Sequence, residues 1–182
     1  MKKLILSGLL LATSLFVAAQ SKTDSTAVKK GAAGNNEIKI NVVYGILGLP
    51  ELTYERILND ESAIGVSLSV AADDDISWKF GVVPYYRVYF GGKKASGFFI
   101  EGNAALITIK DYDFSNYSPN YSYSGRMEMT KQTTFGLGAA AGGKFLTKRG
   151  FIGEAYFGLG RLFKNRFEDI YPRLGITIGK RF

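Results

Sequence analysis

The residues of this chain that could carry acid–base chemistry are glutamates, because the 182-residue sequence contains neither histidine nor cysteine. Two carboxylates held close together can act as general acid and general base, so Glu55 with Glu101, or Glu101 with Glu154, are candidate pairs. The absence of histidine excludes Ser–His and Cys–His nucleophiles and histidine-based zinc sites. The absence of cysteine excludes a disulfide framework and a lipid-anchor cysteine.

Two further motifs have the spacing of ligand-binding loops. Gly138 to Lys144 match the G-x-x-x-x-G-K pattern of a phosphate loop, but Phe145 stands where serine or threonine is required and the segment alternates like a strand. The run Asp73-Asp74-Asp75 could hold calcium, yet consecutive carboxylates lack the spaced ligands of a calcium loop. We therefore predict neither a nucleotide site nor a metal site, and no cofactor.

The first residues have the features of a secretory signal. Met1-Lys2-Lys3 supply the charged start, residues 4–18 the apolar core, and Ala19 the small-residue exit before Gln20. We predict a signal peptide at 1–19, a flexible periplasmic lead-in at 20–36 and one domain at 37–182. The formal net charge is +7. Because Lys and Arg are dispersed along an exported chain, nucleic acid is not an expected partner.

Alternation of bulky apolar residues with small or charged ones indicates β-strands throughout the domain. In the last segment, Leu174, Ile176 and Ile178 alternate with Gly175 and Gly179. Successive side chains of a strand point to opposite faces. A bulky apolar face and a face of small or charged residues fit a barrel that lies in lipid and has a narrow polar interior. The predicted strands are 37–47, 51–58, 62–72, 77–90, 97–110, 132–146, 151–163 and 169–182.

This pattern predicts an all-β fold, an eight-stranded antiparallel up-and-down transmembrane β-barrel. The turns 59–61, 91–96 and 147–150 are short and fall on one side, whereas the long connection 111–130 falls on the other, as expected for periplasmic turns and outer loops. Because side chains at alternate positions share a face, which we call parity, those of Val42, Tyr44 and Ile46 are predicted on the outer face of the first strand. The aromatic residues predicted at the periplasmic rim are Phe90, Phe98, Phe145, Phe151 and Phe182, and those predicted towards the outer rim are Trp78, Phe80, Phe135, Phe163 and Tyr171.

Charged residues on the other face of the strands predict a polar lumen. Their signs alternate around the barrel, so neighbouring strands offer opposite charges, and a barrel of eight strands is just wide enough for side chains to fill. One interpretation is a salt-bridged plug that satisfies buried charges; the other is a gate that opens when pairs exchange. The predicted inward-facing network is Lys39, Glu55, Arg87, Glu101, Lys144, Glu154 and Arg181. Inside such a lumen a glutamate pair has no substrate cleft, which argues against catalysis.

The long connection 111–130 is rich in tyrosine, serine, asparagine and glycine. That composition suits adaptable contact surfaces, and loops on rigid scaffolds often carry function. The alternative is a solvated extension of the hairpin. The candidate contact residues are Tyr112, Tyr117, Tyr121 and Tyr123.

The whole pattern over 37–182 resembles the small eight-stranded outer-membrane barrels, the OmpX-like proteins and the OmpA membrane domain. The residues that carry the resemblance lie at 50–56, at 84–90 and in the closing strand to Phe182. The resemblance implies that the barrel-assembly machinery reads Phe182 and the alternate apolar residues before it, although Lys180 stands where an apolar residue is usual. Enzymes of this family use histidine, which this sequence lacks.

The favoured hypothesis is a non-enzymatic protein of the bacterial outer membrane, a monomer with a structural or surface-contact role. Its expected partners are membrane lipid, the barrel-assembly machinery and an extracellular ligand of residues 111–130. Two alternatives remain: a narrow gated channel through the charged lumen, and a soluble periplasmic barrel that binds an apolar ligand with its faces reversed.

Overall fold

The computed structural model describes residues 34–112, 129–163 and 170–182, without the side chains of residues 111, 112, 129 and 130. Eight antiparallel strands form a closed barrel, which confirms the predicted fold class. No helix in these residues is long and apolar enough to cross a membrane. The strands are β1 (Asn36–Asn41), β2 (Glu51–Ile57), β3 (Ser62–Val70), β4 (Trp78–Tyr89), β5 (Gly97–Tyr112), β6 (Met129–Leu146), β7 (Phe151–Leu162) and β8 (Ile170–Arg181).

Each strand pairs with its neighbours in sequence, and the barrel closes because β1 also pairs with β8. At the seam, the Phe182 amide donates to Asn36 O at 2.9 Å and the Asn36 amide donates to Phe182 O at 3.1 Å. We call this end of the barrel the Phe182 end; it also carries the turns 58–61, 90–96 and 147–150. The opposite end, where β4 begins, is the Trp78 end.

The first predicted strand, 37–47, is wrong in its second half. The chain leaves β1 at Asn41 and forms a short helix, α1 (Val42–Ile46). Asn41 is its N-cap residue, and the Asn41 side-chain oxygen accepts a hydrogen bond from the Tyr44 amide at 3.3 Å. Asn is a preferred N-cap residue, and its capping bond offers the backbone an alternative to the ladder. Tyr44 is therefore buried, not outward-facing, and its hydroxyl donates to Pro172 O at 2.9 Å.

Other predicted bounds differ by fewer residues. The structure begins β1 at Asn36, inside the predicted lead-in. β5 continues to Tyr112 and β6 starts at Met129, so the two strands include residues 111–112 and 129–130 of the predicted connection 111–130. The predicted signal peptide at 1–19 and residues 113–128 lie outside the described residues and stay predictions.

The outer face of the barrel is apolar almost everywhere that the structure describes it. Its large exposed side chains include Ile64 and Leu68 on β3, Leu137 on β6 and Ile178 on β8. All five aromatic residues predicted at one rim are exposed at the Phe182 end, where the rings of Phe90 and Phe98 lie 5.9 Å apart. Towards the Trp78 end, the Phe135 and Phe163 rings stack at 5.8 Å.

Two residues that were assigned to the outer aromatic rim lie in the interior. Trp78 packs against a buried cluster because a β-bulge shifts the register between Trp78 and Phe80 and reverses the side-chain direction. Tyr171 is buried since it shares the inward parity of Arg173 on β8. Phe99 and Ile107 in β5 also face inwards, and both side chains are fully buried.

Inward tyrosines fit into the narrow barrel because glycines face them across the ladder. Tyr85 is paired in register with Gly65, and Tyr171 with Gly160. A Cβ atom on Gly160 would lie 2.1 Å from Tyr171 Cζ, and one on Gly65 would lie 2.3 Å from Tyr85 Cζ. The glycines on the inner face are thus part of the packing of the lumen, since a methyl group there would collide with a ring.

Candidate functional site: a charge network that fills the lumen

Glu55, on β2, is the central carboxylate of the lumen. Its Oε1 accepts from Lys144 Nζ at 2.5 Å, and its Oε2 accepts from Lys39 Nζ at 2.6 Å. The hydroxyl groups of Tyr85 and Tyr89 donate to it as well, at 2.8 and 2.7 Å. Glu55 thereby joins strands β1, β2, β4 and β6 through charge-assisted hydrogen bonds, which are the shorter and stronger class.

Arg87, on β4, connects three carboxylates across the barrel. Its Nε donates to Glu101 Oε2 at 2.8 Å, and its Nη1 lies 3.0 Å from Glu154 Oε2 and 3.1 Å from Glu55 Oε2. The guanidinium also lies over the Phe99 ring at 4.2 Å, a distance at which a cation–π attraction contributes.

Arg181, on β8, ties the network to the Phe182 end. Its Nη2 lies 2.6 Å from Glu37 Oε1 on β1, across the closing seam. Its Nη1 donates to Lys94 O at 2.9 Å and its Nη2 to Ala95 O at 2.8 Å, so turn 90–96 is held over the barrel opening. The turn is further fixed by the Ala95 amide, which donates to Asp60 O at 2.7 Å.

The structure thus brings together all the side chains of the predicted network, and it adds three residues that the sequence reasoning missed. Glu37, Glu51 and Arg173 share the inward parity of Lys39, Glu55 and Arg181 on their own strands, so alternation could have found them. Arg173 lies 2.9 Å from Glu101 and 3.2 Å from Glu51. Within the described residues, the buried carboxylates are equal in number to the buried cations. The carboxylates are Glu37, Glu51, Glu55, Glu101 and Glu154, and the cations are Lys39, Arg87, Lys144, Arg173 and Arg181.

The carboxylates of Glu37, Glu55 and Glu154 are close enough for a metal ion, with one oxygen of each lying within 4.8 Å of the others. Two ammonium groups already lie among them. Lys144 Nζ is 2.7 Å from Glu37 and 3.2 Å from Glu154, and Lys39 Nζ is 2.7 Å from Glu154. A divalent ion would have to displace both lysines, so these residues do not fit a metal site.

The same contacts argue against acid–base catalysis by the glutamate pairs. Glu55, Glu101 and Glu154 are fully buried, and each accepts hydrogen bonds from arginine or lysine. A general acid or base must reach a proton of the substrate. None of these carboxylates faces a cleft that a substrate could enter.

Apolar side chains lie on both sides of the charge network along the barrel axis. Towards the Trp78 end, Trp78 and Ile109 pack against a cluster that includes Ile107, Leu162 and Tyr171. Towards the Phe182 end, Ile57, Ala63, Tyr89, Ala95 and Phe99 form a second cluster with Tyr156. The charged groups are therefore shielded from water at both ends, which strengthens each interaction between them.

The acidic run at the Trp78 end is bound by lysines of the protein itself. Lys79 Nζ donates to Asp73 O and Asp74 O, both at 2.9 Å, and Lys110 Nζ donates to Asp74 O at 2.8 Å. Hydrogen bonds from Lys110 and Lys79 lower the pKa of Asp74 from its usual value. Lysine ammonium groups thus bind the loop at 73–75, for which the sequence analysis considered a calcium ion.

The remaining candidate residues lie at the ends of strands or beyond the described part of the chain. Tyr112 ends β5, and its side chain is not described. Tyr117, Tyr121 and Tyr123 lie outside the described residues. Phe182 is exposed on the outer face directly after β8.

The closed barrel of eight antiparallel strands is the architecture of the small outer-membrane barrel domains, as the resemblance predicted. The solved N-terminal β-barrel domain of Pseudomonas aeruginosa OprF is similar to this chain with a TM-score of 0.52 at 15% sequence identity, and the match covers 82% of this chain and 98% of that one. At this identity the likeness shows the fold. No protein-family model matches the chain, and no curated protein matches it significantly.

Proposed function

We propose that this protein is a non-enzymatic β-barrel of the bacterial outer membrane, with a structural or surface-contact role and a closed, salt-bridged lumen. The observation that carries the proposal is the inverted distribution of polarity. Large apolar side chains face outwards on all sides, while the buried charges lie inside. Among soluble folds a barrel would bury the first set and expose the second, whereas a barrel in lipid requires this arrangement.

The positions of the outward-facing charges along the strands support the same proposal. The outward-facing charges Arg56, Arg161 and Lys180 lie within one or two residues of a strand end. Arginine or lysine costs about 2–4 kcal/mol at the bilayer midplane and about 0–1 kcal/mol near the interface. At strand ends these side chains can extend to the headgroup region.

The contacts in the lumen favour a plug over the alternative of a gated channel. Every charged group named in the network has an oppositely charged partner, and apolar clusters lie on both sides of it. The other alternative, a soluble barrel around an apolar ligand, requires an apolar cavity at the centre. In the described residues that position is occupied by Glu55, Arg87 and Glu154.

The surface-contact part of the proposal rests on the composition of the connection between β5 and β6. Its tyrosines, Tyr117, Tyr121 and Tyr123, would contact an extracellular ligand. The C-terminal strand with Phe182 would be the part that the barrel-assembly machinery reads, and a monomer is expected because every strand of the closed barrel pairs with two neighbours.

Membrane fractionation tests the proposal most directly. We expect the protein in the outer-membrane fraction, with an unboiled sample that migrates differently from a boiled one on a gel because the closed barrel resists detergent. A soluble protein released with the periplasmic contents would contradict membrane insertion. A cytoplasmic membrane location would contradict the choice of membrane.

A further inference from the structure

The Phe182 end of the barrel carries an excess of basic side chains. The acidic side chains in the turns of this end are Asp60 and Glu61. The basic side chains come from turns 90–96 and 147–150 and from the adjoining strand ends. They are Arg56, Lys93, Lys94, Lys148, Arg149 and Lys180, and together they form what we call the basic ring.

Several members of the basic ring lack an acidic partner. Lys93, Lys148, Arg149 and Lys180 make no ion pair with a carboxylate of the described residues. This differs from the Trp78 end, where Lys79 and Lys110 both pair with Asp74. Neighbouring like charges that are not neutralised within the protein attract an anionic partner.

The depth of the basic ring matches that of lipid phosphates. Lys180 Nζ lies 4.1 Å from the centroid of the outward-facing Phe151 ring, and it donates to Arg149 O at 3.0 Å. Outward aromatic rings at the end of a membrane barrel mark the interface with the headgroups. The cations beside such rings therefore lie at headgroup level.

The ring is also held in place by the fold. Arg181 donates to the carbonyl groups of Lys94 and Ala95, and Ala95 takes a left-handed backbone conformation with φ of 40°. These contacts fix turn 90–96 across the barrel opening, between β8 and turn 58–61. Turn 90–96, which carries Lys93 and Lys94, therefore has a fixed backbone position at the Phe182 end.

We propose that the basic ring binds the phosphate groups of anionic phospholipids in the leaflet at the Phe182 end. The inference rests on the proposed membrane insertion. A cation near an anionic membrane surface contributes an attraction that corresponds to about a fivefold preference. The barrel is then surrounded at this end by lipids enriched in negative charge.

Fluorescence quenching by brominated lipids tests the proposal. Trp78 is the single tryptophan. The variant Trp78→Phe/Phe145→Trp therefore carries one reporter, on the outer face at the end of β6, next to Lys148 and Arg149. The full barrel is reconstituted in vesicles of brominated phosphatidylglycerol, brominated phosphatidylcholine or their unbrominated mixtures, and the ratio of the two lipid association constants is measured at the reporter.

We expect a preference for phosphatidylglycerol of at least about fivefold. It decreases in Lys148→Gln/Arg149→Gln, where Lys180 remains, and is largely lost in about 1 M salt, where the screening length shrinks to about 3 Å. The matched control Lys131→Gln/Arg161→Gln removes the same charge at the Trp78 end and keeps the preference. Equal quenching by both lipids in the reporter variant with the basic ring unchanged would contradict lipid binding by the basic ring, but it would leave membrane insertion intact. No quenching by either lipid overturns membrane insertion and the inference together.

Discussion

Glu55 is the residue on which most of the lumen network depends. Lys39, Lys144 and Arg87 all lie within 3.1 Å of its carboxylate, at 2.6, 2.5 and 3.1 Å. Buried charges are tolerated when each has a partner and the remaining hydrogen-bonding groups are satisfied. Because the opposing charges in the lumen are equal in number, removal of one carboxylate leaves an excess positive charge in a dry interior.

The substitution Glu55→Gln should therefore destabilise the barrel by about 3–5 kcal/mol, the usual cost of breaking a buried ion pair from one side. The fraction of folded protein in a urea titration, read from the mobility of unboiled samples, measures this. The double variant Glu55→Gln/Lys144→Met restores charge balance, so its cost should be clearly smaller than the sum of the two single costs. Additive costs would show that the network is not coupled through this pair.

At this scale, parity along each strand was sufficient to place the charges, because a side-chain period of two leaves no choice of face. It placed Lys39, Glu55 and Arg181 inside, and the same rule applied to Glu37 and Arg173 would have added them. The partner of each charge could not be read from the sequence. Arg87 reaches Glu154 across the barrel, a contact that depends on strand stagger and barrel diameter.

Among the elements, β1 and the start of β4 are where the strand pattern failed. Val42, Tyr44 and Ile46 alternate with the period of a strand, but they belong to α1. Local capping by Asn41 and the burial of Tyr44 against β8 outweigh the alternation there. The β-bulge at Trp78 could not be predicted from β4 alone, because a bulge depends on the register in which β4 pairs with β5.

The remaining strands were predictable because two faces with different environments constrain each residue. In β7, for example, Glu154, Tyr156, Gly158 and Gly160 face inwards, and Phe157 faces outwards. The presence of glycine beside large residues on the inner face follows from the limited space inside eight strands. A glycine on the inner face of β7 is therefore required by the packing of the lumen, whereas a glycine on the outer face is not.

A pair of alanine substitutions in β7 tests that distinction. In Gly160→Ala the new Cβ would lie 2.1 Å from Tyr171 Cζ, so Tyr171 must move, and we expect a loss of about 1–3 kcal/mol of unfolding free energy from overpacking. In the control Gly153→Ala, nothing lies within 4 Å of the new Cβ, and we expect almost no change. Urea titration in lipid vesicles measures both. Equal effects of the two substitutions would contradict the packing of Tyr171 against the ladder.

In the molecule as a whole, polarity is arranged by depth as well as by face. The outward charges lie at the strand ends, aromatic rings lie beside them at the Phe182 end, and the middle of each strand shows mainly apolar or small side chains to the outside. The charge network occupies the interior between two apolar clusters. Such a molecule is stable when its middle band is covered by hydrocarbon and its two ends are in contact with polar groups.

Two arginine substitutions on the outer face of β8 measure this dependence on depth. Ile176 lies in the middle of β8 and Ile170 at its Trp78 end; their side chains are exposed by 56% and 67%. In lipid vesicles Ile176→Arg should cost about 2–4 kcal/mol and Ile170→Arg about 0–1 kcal/mol, because a charge is hardest to accommodate at the bilayer midplane. The same titration in which Glu55→Gln is measured gives both values. If the two variants were equally stable, the middle of β8 would not lie in the hydrocarbon core, and the position of the barrel in the membrane would have to be reassigned.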